Sequence, residues 1–334
     1  MKKKLSVFIC LLVLAAAVAG CGKGPGDGRK AAEKPEKPRK ITFMLDWVPN
    51  TNHTGIYVAR EKGYFAQKGL DVEIVQPSQG GATDLVATGK AQFGVSCQEE
   101  ITMARAAGVP IVSIAAVIQH NTSGFASKSE SNIKRPRDFA GKRYGGWGAA
   151  SEEAVLRAVV QRDGADPNKV KIFNIGTSDF FAAISKDIDF AWIFYGWTGI
   201  EAELRGMPLN MIMLKDLDPV LDYYTPVLFT NESVIKNDPQ LVRDFLAAAS
   251  MGYNFAADNP DQAAEILLKQ VPELNAELVR KSQKWLSPRY RDDAPRWGEQ
   301  KKEVWQKYTA WMEQHKLLPG SVDADRAFTN EFLP

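Results

Sequence analysis

The chain has 334 residues, 45% of them hydrophobic and 25% charged. That length suits one large domain or two ordinary ones, and the balance excludes a mostly disordered or fibrous protein. The formal net charge of +2, from 42 Lys and Arg scattered among 40 Asp and Glu, excludes a strong long-range pull on nucleic acid.

The first predicted element is a leader. Lys2, Lys3 and Lys4 precede an apolar run over 5–19 and then small residues, the layout of a secretory signal over 1–20. That run is short against the roughly 20 residues of a membrane span. Val18-Ala19-Gly20-Cys21 resembles a bacterial lipobox, in which Cys21 is lipidated and becomes the new N-terminus. Residues 22–40 are rich in Gly, Pro, Lys and Glu, so 21–40 is expected to be a lipid-anchored flexible tether. Taking the three leader lysines from 42 leaves 39 basic residues against 40 acidic ones. Cys10 lies in the leader and Cys21 takes lipid. Cys97 alone remains, which permits neither an internal disulfide nor a cysteine-rich metal site.

From Ile41 strand and helix patterns alternate. Strands are predicted over 41–47, 71–76, 93–97 and 111–119, with helices over 54–65, 82–88 and 99–107 between them. A second block predicts strands over 143–146, 169–175, 189–195 and 209–214 and helices over 151–163, 179–186 and 198–205. After 226–230 the pattern is nearly all helical, over 241–257, 261–270, 276–285 and 296–317. This order predicts α/β architecture in two lobes, each a mainly parallel sheet flanked by helices, with a helical C-terminal part. The expected lobes are 41–125 with 231–334, and 126–230, with crossings near 124–127 and 226–230. A ligand is expected beyond the carboxyl ends of the strands, between the lobes.

The densest polar-aromatic segment, Asp46-Trp47-Val48-Pro49-Asn50-Thr51-Asn52-His53-Thr54-Gly55, follows the first strand. A Trp face beside Asn and His groups suits a flat heteroaromatic ligand whose ring stacks and whose edge is read by amides. The same residues also read as a turn, with Asn52 or His53 capping a helix. Gly145-Gly146-Trp147-Gly148 precedes the helix at 151, but Glu152 and Glu153 in its first turn oppose an anion. It reads as a close-approach loop carrying Trp147. In Trp192-Ile193-Phe194-Tyr195-Gly196-Trp197, Trp192 and Phe194 read as core, and Tyr195 and Trp197 as strand-end residues facing the cleft. Glu201 follows as a candidate acceptor for an exocyclic amine, or as a solvated helix position. Gln98 and Glu99 end another strand, and Tyr224 lies before the second crossing; these are further candidate lining residues. Trp297, Trp305, Tyr308 and Trp311 have helical spacing and read as packing. His53, His120 and His315 have no metal-ligand spacing, and no nucleophile elbow is present, so no catalytic residue, metal or cofactor is expected.

The run Leu45-Asp46-Trp47-Val48-Pro49-Asn50-Thr51-Asn52-His53-Thr54-Gly55-Ile56-Tyr57-Val58-Ala59 resembles the signature of the thiamin-pyrimidine-precursor family. Lys62-Gly63-Tyr64-Phe65 and Gly69-Leu70-Asp71-Val72 extend the resemblance, which covers about 41–334. It implies a type II periplasmic-binding-protein fold. Bacterial members are substrate-binding components of ABC importers, some delivering N-formyl-4-amino-5-aminomethyl-2-methylpyrimidine and relatives binding riboflavin or similar rings. Fungal members are synthases that use pyridoxal phosphate and an active-site His. They carry a cysteine-rich segment near the second crossing, where this chain reads Tyr223-Tyr224-Thr225-Pro226-Val227-Leu228-Phe229-Thr230. His53 matches the family's His, but the missing cysteines weigh against a synthase. The expectation is a monomeric, non-enzymatic lipoprotein, held at the cell membrane outside the cytoplasm, that serves an ABC permease and binds no nucleic acid. Its expected ligand-binding set is Trp47, Asn50, Asn52, His53, Gln98, Trp147, Tyr195, Trp197, Glu201 and Tyr224.

Overall fold

The structure, a computed structural model, describes residues 37–76, 81–176 and 178–334. The leader, the Cys21 lipid site and the tether up to residue 36 lie outside the described residues. The tether expected through Lys40 ends earlier, because Arg39 and Lys40 already pair with Leu70 and Asp71.

The first lobe opens with β1 (Arg39–Met44), α1 (Thr54–Glu61), α2 (Tyr64–Gln67), β2 (Leu70–Val75), α3 (Ala82–Ala87), β3 (Phe93–Ser96), α4 (Gln98–Ala106) and β4 (Ile111–Ala116). One helix was expected over 54–65. Gly63 adopts φ 71°, a left-handed conformation that stops the first helix and starts a second at a new angle. The chain then crosses and forms β5 (Ser123–Lys128), β6 (Arg143–Gly146), α5 (Ala150–Arg162), β7 (Lys171–Asn174), α6 (Phe180–Lys186), β8 (Phe190–Phe194), α7 (Ile200–Leu204), β9 (Leu209–Met213) and α8 (Leu214–Leu217). It returns through β10 (Val227–Asn231) and ends in α9 (Glu232–Asn237), α10 (Pro239–Asp258), α11 (Pro260–Gln270), α12 (Ala276–Leu286) and α13 (Lys302–Gln314).

The two sheets share one topology. Their strand orders are β2-β1-β3-β10-β4 and β7-β6-β8-β5-β9. In each, four strands run the same way and the strand arriving from the other lobe inserts antiparallel between the last two. Parallel neighbours need a helical crossover, which buries both sheet faces. Residues 124–127, and all but Pro226 of 226–230, expected as crossings, therefore lie inside β5 and β10. The passage between lobes is made just before each strand, by 117–122 and 222–226.

Phe245 on α10 centres the first core, stacking on Phe93 at 3.9 Å and lying 5.3 and 5.7 Å from Phe65 and Phe43. Phe125 of β5 centres the second, edge-on to Phe139, Tyr144, Phe190 and Trp192. Of the four residues expected to pack, Trp297, Trp305 and Tyr308 are buried and Trp311 is half-buried against the second core, though Trp297 lies outside the helix. The last helix nevertheless begins at Lys302, not at 296, because Gly298 leaves the helical path to bridge to Ala116. Residues 231–334 were expected wholly in the first lobe. Helix α13 instead divides its faces, with Tyr308 and Met312 in the second core and Trp305 in a cluster of the first lobe. No helix among the described residues is long and apolar enough to cross a membrane.

Candidate functional site

Two hydrogen bonds set the carboxyl ends of the two sheets against each other. Ser151, in the first turn of α5 beyond β6, donates to Glu99 in the first turn of α4 beyond β3. Ser282 of α12 donates to the carbonyl of Gly196, just beyond β8. The segments after β1, β3, β6 and β8 thus lie along the boundary between the lobes, at the strand ends where ligands of open α/β sheets bind.

The segment after β1 is organised by its own side chains. Asn50 Oδ1 accepts from the Asn52 N–H at 2.9 Å, and Asn50 Nδ2 donates to the Val48 carbonyl at 3.0 Å. His53 Nδ1 accepts from the Asn50 N–H at 3.2 Å, so the proton lies on Nε2, 2.7 Å from Asp46 Oδ1. This reciprocal cap closes a short 3-10 turn over Thr51–His53 ahead of α1. From below, Tyr290 Oη donates to the Thr51 carbonyl at 2.6 Å and Tyr253 Oη to the Asn52 carbonyl at 2.8 Å. Asn50 and His53, expected to face a ligand, are buried and spent on the turn. What the turn leaves exposed is Asp46, Trp47 and Val48, Trp47 the most exposed of the apolar ones at 54%, with Asn52 half-buried.

In the second lobe, the loop after β6 presents Trp147, 45% exposed, edge-on to Trp192 with ring centroids 5.3 Å apart. Trp192 is buried as expected, but Phe194 is 40% exposed because it ends β8 at the rim of the sheet. Tyr195 Oη donates to Glu203, and its ring lies 5.1 Å from that of Trp285 on α12. Burial, reinforced by the Glu203 carboxylate, pushes the Tyr195 hydroxyl up to about 12. Trp197, expected to face the cleft, packs instead on the first lobe's cluster of Tyr57, Leu267 and Val279. It belongs to the π-helical turn Tyr195–Gly199, which carries it across the boundary. The Glu201 carboxylate is held by Arg205 one turn along α7, Nε at 2.9 Å.

Gln98 and Tyr224 are also turned inward, contrary to expectation. The Gln98 Oε1 accepts from the Tyr224 N–H at 3.0 Å, and Tyr224 Oη accepts from the Lys301 N–H at 2.8 Å. Both residues are fully buried and tie the second crossing to α4 and the start of α13. Glu99 is the strand-end acid that joins the lobes: besides Ser151 it accepts from Tyr308 at 3.2 Å and Tyr223 at 3.5 Å. Burial raises its carboxyl, against the lowering effect of those three donors. Burial likewise pushes the Cys97 thiol well up, helped by Glu100 and Glu99, so it is a poor nucleophile. At the crossings, His120 Nδ1 lies 2.6 Å from Asp222 and Nε2 lies 3.3 Å from Asp293, and the Asp222 bond raises the imidazole. No group of three or more His, Cys, Asp or Glu among the described residues is arranged to hold a metal ion.

Ser282, Trp285, Tyr253 and Tyr290, which organise this boundary, carried no sequence signal. Ser282, Tyr253 and Tyr290, the last in a 3-10 turn just after α12, lie more than two hundred residues beyond the turn they support, so no local pattern links them to it.

A family model described as NMT1/THI5 like matches residues 50–263. The formylaminopyrimidine-binding protein of Halalkalibacterium halodurans is 30% identical over 97% of this chain and 98% of its own. The 4-amino-5-hydroxymethyl-2-methylpyrimidine phosphate synthase of Legionella pneumophila is 25% identical over 88% of this chain and 92% of its own. Among solved structures, the periplasmic aliphatic sulphonate binding protein SsuA from Escherichia coli matches with TM-score 0.69 at 16% identity, covering 87% of this chain and 92% of that one. The shared two-lobed topology is the periplasmic-binding-protein fold, and by the family model and the 30% identical relative the chain belongs to the NMT1/THI5-like family.

Proposed function

We propose that this chain is an extracytoplasmic lipoprotein, anchored through Cys21, that binds a thiamin pyrimidine precursor between its lobes and delivers it to an ABC importer. The ligand is N-formyl-4-amino-5-aminomethyl-2-methylpyrimidine. One observation carries the reading: two indole rings, Trp47 and Trp147, stand half-exposed just past strand ends of opposite sheets, in a chain 30% identical to a formylaminopyrimidine-binding protein. Large aromatic rings are usually withdrawn from water, and a flat ring entering the groove would cover them by stacking. Tyr195 adds a third aromatic at the same border. His53 favours binding over chemistry, since it is buried with both ring nitrogens engaged. The near-neutral balance after leader removal suits an uncharged or weakly charged ring.

Calorimetric titration of the purified protein tests this. Saturable binding of the formylaminopyrimidine without turnover is expected. Binding of riboflavin but not of the pyrimidine would refute the ligand, and product formation dependent on iron and pyridoxal phosphate would refute the binding role. Lipid labelling that disappears in Cys21→Ser is expected if the anchor is correct.

A further inference from the structure

The loop Gly146-Trp147-Gly148-Ala149 has the build of an anion cradle: a glycine-rich turn after a strand, with amides converging ahead of helix α5. The cradle is already filled from within. Glu152, 2% exposed, folds back from the first turn of α5 into the loop. Its Oε1 accepts from the Trp147 N–H at 3.2 Å and from Tyr144 Oη at 2.5 Å, while Oε2 accepts from the Gly148 N–H at 3.0 Å. Burial raises the Glu152 carboxyl, against the lowering effect of the Tyr144 hydroxyl and the loop amides. Gly146 is needed for this approach, because a Cβ there would lie 2.4 Å from Glu152 Oε1.

We propose that Glu152 is a positioning and specificity-determining residue, a resident anion that holds Trp147 at the groove and reserves the cleft for ligands without a phosphate. This rests on the ring-binding role given above. Two consequences follow from the geometry. The backbone that carries the Trp147 indole is pinned by a single carboxylate, so the stacking face is set before a ligand arrives. A phosphate monoester placed at the loop would compete for the same amides and meet the carboxylate charge at contact distance. The cleft therefore accepts the aminopyrimidine and rejects its phosphate ester.

The test uses the full exported chain and its Glu152→Gln variant, titrated with the formylaminopyrimidine, with an aminopyrimidine phosphate ester and with inorganic phosphate. Wild type is expected to bind the unphosphorylated ring at least about a hundredfold more tightly than the ester, and to ignore phosphate. Glu152→Gln, isosteric but uncharged, is expected to narrow that ratio by roughly tenfold or more, the scale of hydrogen bonds to a charged group. Wild type that binds ring and ester equally, or a variant that weakens both ligands alike, overturns the proposal. Amide hydrogen exchange gives a readout that needs no ligand. The Trp147 and Gly148 amides are expected to be protected in wild type and to exchange roughly tenfold or more faster in Glu152→Gln, with the α5 amides from Val155 to Val160 unchanged. Unprotected loop amides in wild type overturn the proposal even if the variant does not fold. Protected amides released by the substitution, in a protein that binds no pyrimidine, support the anchoring and place the failure in the ligand reading instead.

Discussion

Ser282 joins three parts of the molecule through one hydroxyl. Thr51 Oγ1 donates to it at 2.6 Å, and it donates to the Gly196 carbonyl, so one chain of bonds runs from the signature turn through α12 to the turn after β8. Ser282 and Thr51 are 0% and 1% exposed. Ser282→Ala removes a single oxygen and leaves a space too small to admit a bridging water. The Gly196 carbonyl and the Thr51 hydroxyl then lose their partner in a dry environment, where each unsatisfied group costs about 1–3 kcal/mol. Because the hydroxyl can rotate toward another acceptor, we expect a net loss of about 2–3 kcal/mol. For a chain of this size that lowers the melting temperature by about 4–12 °C. The assay is calorimetric melting of wild type, Ser282→Ala, Thr51→Val and the double variant. The two single losses should fail to add, by about 0.5–3 kcal/mol, since both break one network. Lys284→Ala, on the exposed face of the same helix, should cost no more than about 1 kcal/mol. A shift below about 1 °C for Ser282→Ala, or full additivity, would refute the coupling.

Helices α1 and α10 meet through glycines, and a Cβ on Gly252 would lie 2.0 Å from the Gly55 carbonyl oxygen. Gly252→Ala should therefore destabilise despite a helix-propensity gain of about 1 kcal/mol, with overpacking costing about 1–3 kcal/mol or more; a lower urea midpoint checks this. Trp47→Ala and Trp147→Ala should each weaken pyrimidine binding by about 1–3 kcal/mol, borrowing the base–aromatic stacking scale, and move the melting temperature little. Unchanged affinity in calorimetry would remove that ring from the site. His120 is raised above its ordinary 6.5 by the Asp222 bond first, with Asp293 and Asp292 adding to it. Its stabilisation is thus fully present below 6.5 and lost as pH rises through the raised value. The melting-temperature gap between wild type and His120→Asn should be widest below pH 6.5 and close as pH rises through the raised value, and a gap that widens with pH would contradict the assignment.

Much of this molecule is legible in its sequence. Alternating strand and helix periods located most elements to within a few residues, because burial of sheet faces and helix stripes imposes those periods locally. The signature segment and the Gly-Gly-Trp-Gly loop were likewise visible, since turn chemistry is local. Direction was not. Asn50, His53, Gln98 and Tyr224 are polar or aromatic groups near strand ends, yet their side chains satisfy backbone donors and acceptors inside the protein. Such groups serve whichever buried partner lies nearest, and that depends on elements far away in the chain.

The sequence by itself therefore determined the α/β class, the two blocks of alternating elements, the family signature and the exposed indoles' positions at strand ends. Only the tertiary structure decided that β5 and β10 change sheets, that α13 serves both cores, that Trp197 leaves the groove and that Glu152 fills its own loop. The physical reason is the range of the forces involved. Periodicity and capping are set by neighbours within a turn or a strand, whereas hydrogen-bond partners and desolvated charges are set by which distant surfaces are brought together.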